Sequence, residues 1–371
     1  MKYSDNLLFY LLCTSVSFLI ILFFALPTFS KGQNSNAQNL QNEYINPEDI
    51  LTNEEVLKQY LVQNGPKTTL ATLLAKSAET GIDCHQSAHK AGRFAITIMS
   101  AQEAFKNGSG ECHSGYYHGT TEGYFALYGT VNLEENLNTL CTQDLNTFFR
   151  HQCFHGVGHG LMAWSNYQIT EALSSCDQLK EDKDQSSCTT GVFMENYTGA
   201  FTKEEAQDPT HVTTYLSQDP QFPCNAVAEK YQDECYFLQT SRMLQIFGAD
   251  FEKVAGECNS APEKFQSLCF ASMGRDVSAY TRPNFDKSIS LCSFTNTESF
   301  QIECLNGAVQ DYFWDPTGAD SAIEFCKKLT NQAQKNGCYE TIIGRSGEIL
   351  TQEQKIEFCE KIEKGFKQNC Q

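Results

Sequence analysis

The sequence predicts an all-α protein: a solenoid of helical hairpins with a period near 34 residues, each hairpin stapled by its own disulfide. Three observations predict it. Seven cysteine pairs recur, Cys141/Cys153, Cys176/Cys188, Cys224/Cys235, Cys258/Cys269, Cys292/Cys304, Cys326/Cys338 and Cys359/Cys370, and each encloses 10 or 11 residues. Successive first members are 35, 48, 34, 34, 34 and 33 residues apart, a spacing long enough for one helix–turn–helix unit. The segments after the second cysteines, such as YFLQTSRMLQIFG and LNGAVQDYF, read as helices, and period-2 alternation is scarce.

The first element is residues 1–31. Residues 7–29 form a stretch of 23 without a charge, whereas a secretory apolar region is about 7–15 residues and a bilayer span is about 20. No small-residue cleavage site follows, so the stretch reads as an uncleaved signal anchor, a transmembrane helix, rather than a cleaved signal peptide. The flanking charges, Lys2 and Asp5, do not set its orientation. The cysteines do. Of 17, Cys13 lies in the apolar stretch and sixteen remain, with no C-x-x-C pair among them. So many thiols without metal-finger spacing point to an oxidising compartment. The expectation is a single-pass protein of the cell membrane, its body on the extracytoplasmic side.

Residues 32–50 are rich in Asn and Gln and read as a flexible linker. Residues 51–165 read as a variant, histidine-rich helical cap. Its Cys84 and Cys112 have no partner at the repeat spacing, and elimination pairs them with each other. Residues 166–371 are the regular repeats, in which the 48-residue step accommodates an acidic insertion at about 199–223. A staple across each turn stabilises by about 2–3 kcal/mol in the chain-entropy account. The repeat resembles the tetratricopeptide family in period alone. That family's aromatic and small-residue signature is absent, so no binding residues carry over.

Composition limits the function. A net charge of −18 without an offsetting basic cluster excludes nucleic acid and disfavours anionic lipid as partners. The remaining expected partners are the membrane, through the N-terminal helix, and a protein or small-molecule ligand on the concave face of the array.

Seven of the eight histidines fall between positions 85 and 159. His85 and His89 form an H-x3-H, as do His155 and His159, with His151 one turn earlier. His113 and His118 flank SGYY, and Glu122 follows four residues after His118. Residues four apart share a helix face, so each H-x3-H can offer two imidazoles to one ion. His85, His89, His113, His118, His155 and His159 are therefore the candidate ligands, with His151 in reserve. The disulfides consume the thiols, and an imidazole-rich set suits zinc, copper or iron. The glycine after the histidine in HGVGHG and YYHG, and nearby in HKAGR, refuses about 1 kcal/mol of helix propensity each. It reads as room for a bound group or a neighbouring backbone.

Alignment on the second cysteine brings out Glu195, Arg242, Asp276, Asp311 and Arg345, each seven residues downstream. In a solenoid these stack on one face, either as a ladder that fixes stacking or as a polar groove leading ligand to the metal. Glu122 and Glu195 are the candidate general bases. The expected function is a metal-dependent oxidoreductase or hydrolase. The alternatives are a non-catalytic metal-handling protein and a protein-interaction scaffold with structural histidines.

Overall fold

All eight expected disulfides form, and the helices follow from them. Cys84–Cys112 and the seven repeat pairs are each closed, with Cα–Cα separations between 5.4 and 5.7 Å, the normal range for a bridge. The structure, a computed structural model, describes residues 45–141, 147–198, 213 and 215–370. The expected signal anchor, Cys13, most of the linker and most of the acidic insertion lie outside them. Among the described residues no helix is long and apolar enough to cross a membrane.

In chain order the helices are α1 (Glu54–Thr80), α2 (His85–Ile98), α3 (Ala101–Lys106), α4 (Gly115–Tyr128), α5 (Leu133–Cys141), α6 (Thr147–Trp164), α7 (Ile169–Cys176), α8 (Asp182–Thr198), α9 (Gln232–Tyr236), α10 (Gln239–Phe247), α11 (Phe251–Ser260), α12 (Glu263–Thr281), α13 (Phe285–Cys292), α14 (Glu298–Tyr312), α15 (Ala319–Lys328), α16 (Gln332–Ile349) and α17 (Gln352–Lys361). There is no strand among the described residues. Sequence chemistry sets many of the boundaries. Asn53, Asp250, Asn284, Thr297 and Asn331 accept backbone N–H groups at helix starts, and Ser100/Glu103 and Thr351/Gln354 form capping boxes. Within α1 the chain breaks at Gly65, whose φ of +73° precedes Pro66.

Several boundaries differ from expectation. The linker ends early: Asn46 caps a 3-10 turn over Pro47–Asp49, and Ile50 is buried. Cys153 falls in the middle of α6, not at a helix start, so His151, His155 and His159 all lie well inside the helix. Among the described residues just before Cys224 there is no outer helix, because Pro220 and Pro223 interrupt the segment and residues 216–227 stay in turns and loops. Buried Gln239 holds that segment instead, donating to the Pro220 and Phe222 carbonyls at 2.7 and 2.8 Å. The last pair, Cys359/Cys370, closes on a short 3-10 turn, Lys367–Asn369, rather than at a helix start.

Alternate helices form an inner layer. α2 packs on α4, α4 on α6 and α6 on α8; α10, α12, α14 and α16 continue the sequence. α16 then packs back on α6. Phe148 of α6 meets the Trp314 ring with centroids 6.2 Å apart and belongs to the apolar cluster of the later helices. The expected concave groove is thus a half-open cavity within the curled array. Close backbone contact between inner helices supplies the reason. A Cβ on Gly119 would lie 1.9 Å from the His89 carbonyl oxygen, and one on Gly307 would lie 1.9 Å from that of Ala271. An inner layer packed tighter than the outer one bends the stack.

Candidate metal centre

The inner helices bring five histidines to one place. α2 carries His85 and His89, α4 carries His118, and α6 carries His155 and His159. Ring centroids lie 4.9 Å apart for His85–His89, 5.0 Å for His89–His118, 5.5 Å for His118–His155 and 4.9 Å for His155–His159. His118 stacks on His159 at 3.8 Å. Two sets have ligand nitrogens close enough for one ion: His85, His89 and His118, and His118, His155 and His159. Except for partly buried His85, all are buried.

Fixed partners orient four of the rings. The His85 Nδ1–H donates to the Cys112 carbonyl at 2.9 Å, so the Cys84–Cys112 bridge holds this ring. His89 Nδ1 lies 3.2 Å from Glu122 Oε1, within ion-pair range though misaligned for a hydrogen bond, and Arg93 holds the other carboxylate oxygen at 2.8 Å. The Thr190 hydroxyl donates to the Ser187 carbonyl, so its oxygen receives the His155 Nδ1–H at 2.9 Å. The His159 Nδ1–H donates to Glu195 Oε2 at 2.6 Å, and the Tyr167 hydroxyl donates to Glu195 Oε1 at 3.1 Å.

With both Nδ1 atoms engaged, His155 and His159 face each other through Nε2 at 3.2 Å, a buried contact that a shared proton or a cation can fill. Outer partners that fix the tautomer are what metal-bound histidines use. Electrostatics keep the rings ready. Burial, then neighbouring histidines, pushes His85 down to about 3 and holds His118 and His155 well below the ordinary imidazole value. Burial opposes ionisation of Glu122, but His89 and Arg93 outweigh it and bring its carboxyl down to about 2.

Not every candidate joins. His113 has a left-handed backbone (φ +52°) in the turn before α4 and lines the cavity without entering either set. His151 donates from Nδ1 to Ser187 Oγ at 2.7 Å, a turn away from the sets, where burial and Arg345 push it down to about 4. Glu122 and Glu195, read from sequence as general bases, stand behind His89 and His159 and orient them.

The position-seven residues mostly tie neighbouring inner helices together. Asp276 of α12 accepts from Thr240 of α10 at 2.7 Å and from Ser241 at 2.9 Å. Asp311 of α14 accepts from Ser278 of α12 and from Arg282. Arg345 of α16 donates to the Phe313 and Trp314 carbonyls at 2.5 and 3.2 Å, and Arg242 donates to the Ser217 carbonyl at 2.8 Å. Ladder and groove are the same residues in part, since Asp276 and Asp311 also line the central cavity.

That cavity has a volume of about 410 Å3, and His85, His113, His118 and His155 reach it. Sequence reasoning missed Gln152, Arg275, Arg282 and Trp314 in its wall. Buried Gln152 accepts from Ser114 at 2.6 Å and leaves its Nε2 unpartnered, as is the Trp314 Nε1. Arg275 stands beside Asp276 in SMGRD and was within reach of the repeat alignment, whereas nothing local marks Gln152 or Trp314. The glycine pattern needs revision as well: it recurs at Gly274 and Gly307 in repeats without histidine, so it reports helix contact and not ligation. The chain matches no protein-family model, no curated protein and no solved structure.

Proposed function

We propose that this chain is a membrane-anchored, extracytoplasmic helical-repeat protein, a curled solenoid, whose five-histidine centre binds a transition metal and acts on a small molecule in the adjoining cavity. The convergence of Nε2 lone pairs at the edge of that cavity carries the reading. Imidazole nitrogens without thiolates suit zinc, copper or iron, and the chemistry is that of a metal-dependent oxidoreductase or hydrolase, in which the metal supplies Lewis acidity or redox exchange. The residues divide the work. His85, His89, His118, His155 and His159 hold the ion, Glu122, Glu195 and Thr190 orient the rings, and Arg275, Arg282, Gln152 and Trp314 offer donors to a bound molecule. The eight bridges suit an oxidising compartment.

A non-catalytic metal-handling role is the second reading, favoured by the burial of His89 and His159 at 5% and 2% exposure. One experiment separates the two. The purified full chain is analysed for bound metal, reloaded with cobalt(II), and titrated with azide while its visible spectrum is recorded. The enzyme reading expects stoichiometric metal and a spectral change as azide takes an open coordination position. A loaded but azide-silent site turns the assignment to metal handling. A chain that takes up no zinc, copper, iron or cobalt leaves the scaffold reading.

A further inference from the structure

We infer that the centre holds two metal ions, bridged by the imidazolate of His118. The inference rests on the metal-binding reading above and extends it. Three of the five rings commit one nitrogen to a hydrogen bond with the protein, His85 to the Cys112 carbonyl, His155 to Thr190 and His159 to Glu195, and His89 sets one 3.2 Å from Glu122, in ion-pair range only. In each case the committed atom is Nδ1, which leaves one donor atom, Nε2. His118 is the exception. Its Nδ1 lies 3.1 Å from His89 Nε2, and its Nε2 is buried without a partner. Neither nitrogen is held from outside the histidine cluster, and it is the one ring common to the two ligand sets.

The donor atoms then sort themselves. Nε2 of His85, Nε2 of His89 and Nδ1 of His118 form one triad. Nε2 of His155, Nε2 of His159 and Nε2 of His118 form the other. Each triad has its own carboxylate, Glu122 behind His89 and Glu195 behind His159. A single ion cannot use both nitrogens of one imidazole, because the two in-plane lone pairs diverge. An ion in the first triad alone would leave buried His118 Nε2 unsatisfied, and an ion in the second alone would leave His118 Nδ1–H donating to His89 Nε2, whose triad then stays empty. When the second ion binds, the remaining N–H proton of His118 passes to solvent, and the ring becomes an imidazolate bonded to one ion through each nitrogen. His118 and His159 are stacked with planes 15° apart, and parallel in-plane lone pairs do not meet at one point. The hydrogen-bond contact of His118 is with His89, itself a ligand, so it is the ring that turns as the second ion enters.

The test uses the full chain with its disulfides intact, loaded with copper(II), and reads copper per chain together with the electron paramagnetic resonance intensity. Two coppers per chain with much less signal than two independent spins is the expected result, since an imidazolate couples them. H85A/H89A and H155A/H159A should each retain one copper with full single-spin intensity, and H118A should lose the coupling. One copper per wild-type chain, or two that remain uncoupled, overturns the bridge while leaving a metal site. No copper at all overturns the site itself. The wild-type measurement decides the question even if a variant fails to fold, and far-ultraviolet circular dichroism shows whether it has.

Discussion

The histidine-bearing inner helices, α2, α4 and α6, and the later ones, α12, α14 and α16, are built alike and finished differently. Both groups carry a disulfide staple and glycines set against a neighbour's backbone, Gly119 on His89 in one and Gly307 on Ala271 in the other. The polar groups between the helices differ. In the later group most of them close on one another, Thr240, Ser241 and Arg275 on Asp276, and Ser278 and Arg282 on Asp311, while Asn306 of α14 keeps an unpartnered Oδ1. In the earlier group the rings leave nitrogens facing each other or facing nothing. A closed network stabilises stacking, whereas an open one asks for a ligand. What sets the earlier group apart is the gathering of imidazoles on it.

Acid should separate the two regions most. A buried histidine with a depressed value contributes stability that is fully present above the unfolded value, near 6.5, and is lost as pH falls towards the folded one. For His85 the folded value is about 3, so acidification from pH 7 to 4 removes about 3 kcal/mol through this ring alone, with His118 and His155 acting in the same direction. Amide hydrogen exchange of the metal-free chain should show α2, α4 and α6 losing protection before α12, α14 and α16. Simultaneous loss throughout would break the comparison.

The disulfides give a smaller, graded contrast. Cys84–Cys112 closes a separation of 28 residues and Cys258–Cys269 one of 11. The chain-entropy account assigns about 4 and about 3 kcal/mol to these loops. Chemical denaturation should therefore find C84S/C112S less stable than C258S/C269S by somewhat under about 1 kcal/mol. Only C84S/C112S should also weaken metal uptake, because the Cys112 carbonyl anchors His85. Equal metal affinity in the two variants would show that this anchor is dispensable.

The smallest difference in stability is expected from the glycines. G119A and G307A each force a methyl group against a carbonyl, at about 1–3 kcal/mol or somewhat more. Their melting temperatures should fall together. Metal content should fall only in G119A, which pushes His118 and His89 apart, and a loss in G307A as well would make the site a property of the whole curl.

Much of the fold could be read locally, and the reason is physical. A staple over 11 or 12 residues and a pair of side chains four apart on a helix depend only on nearby chain. The seven pairs, the helical class and the two H-x3-H faces were therefore legible. Even Cys84–Cys112 followed by elimination. Position relative to a helix start was less legible, which is why Cys153 was placed at the beginning of α6 and not in its middle.

The sequence by itself determined the staples, the inner helices and the residue types available to a metal. Only the tertiary structure decided that the array curls until α16 meets α6, which turns a groove into a cavity lined by Gln152 and Trp314. It alone decided that His113 and His151 stand apart and that Glu122 and Glu195 serve as orienting partners. These outcomes rest on contacts between groups roughly one repeat apart or farther, such as His159 with Glu195 and Phe148 with Trp314. Such contacts exist only once packing has fixed how far each hairpin turns against the last, and no local pattern encodes that angle.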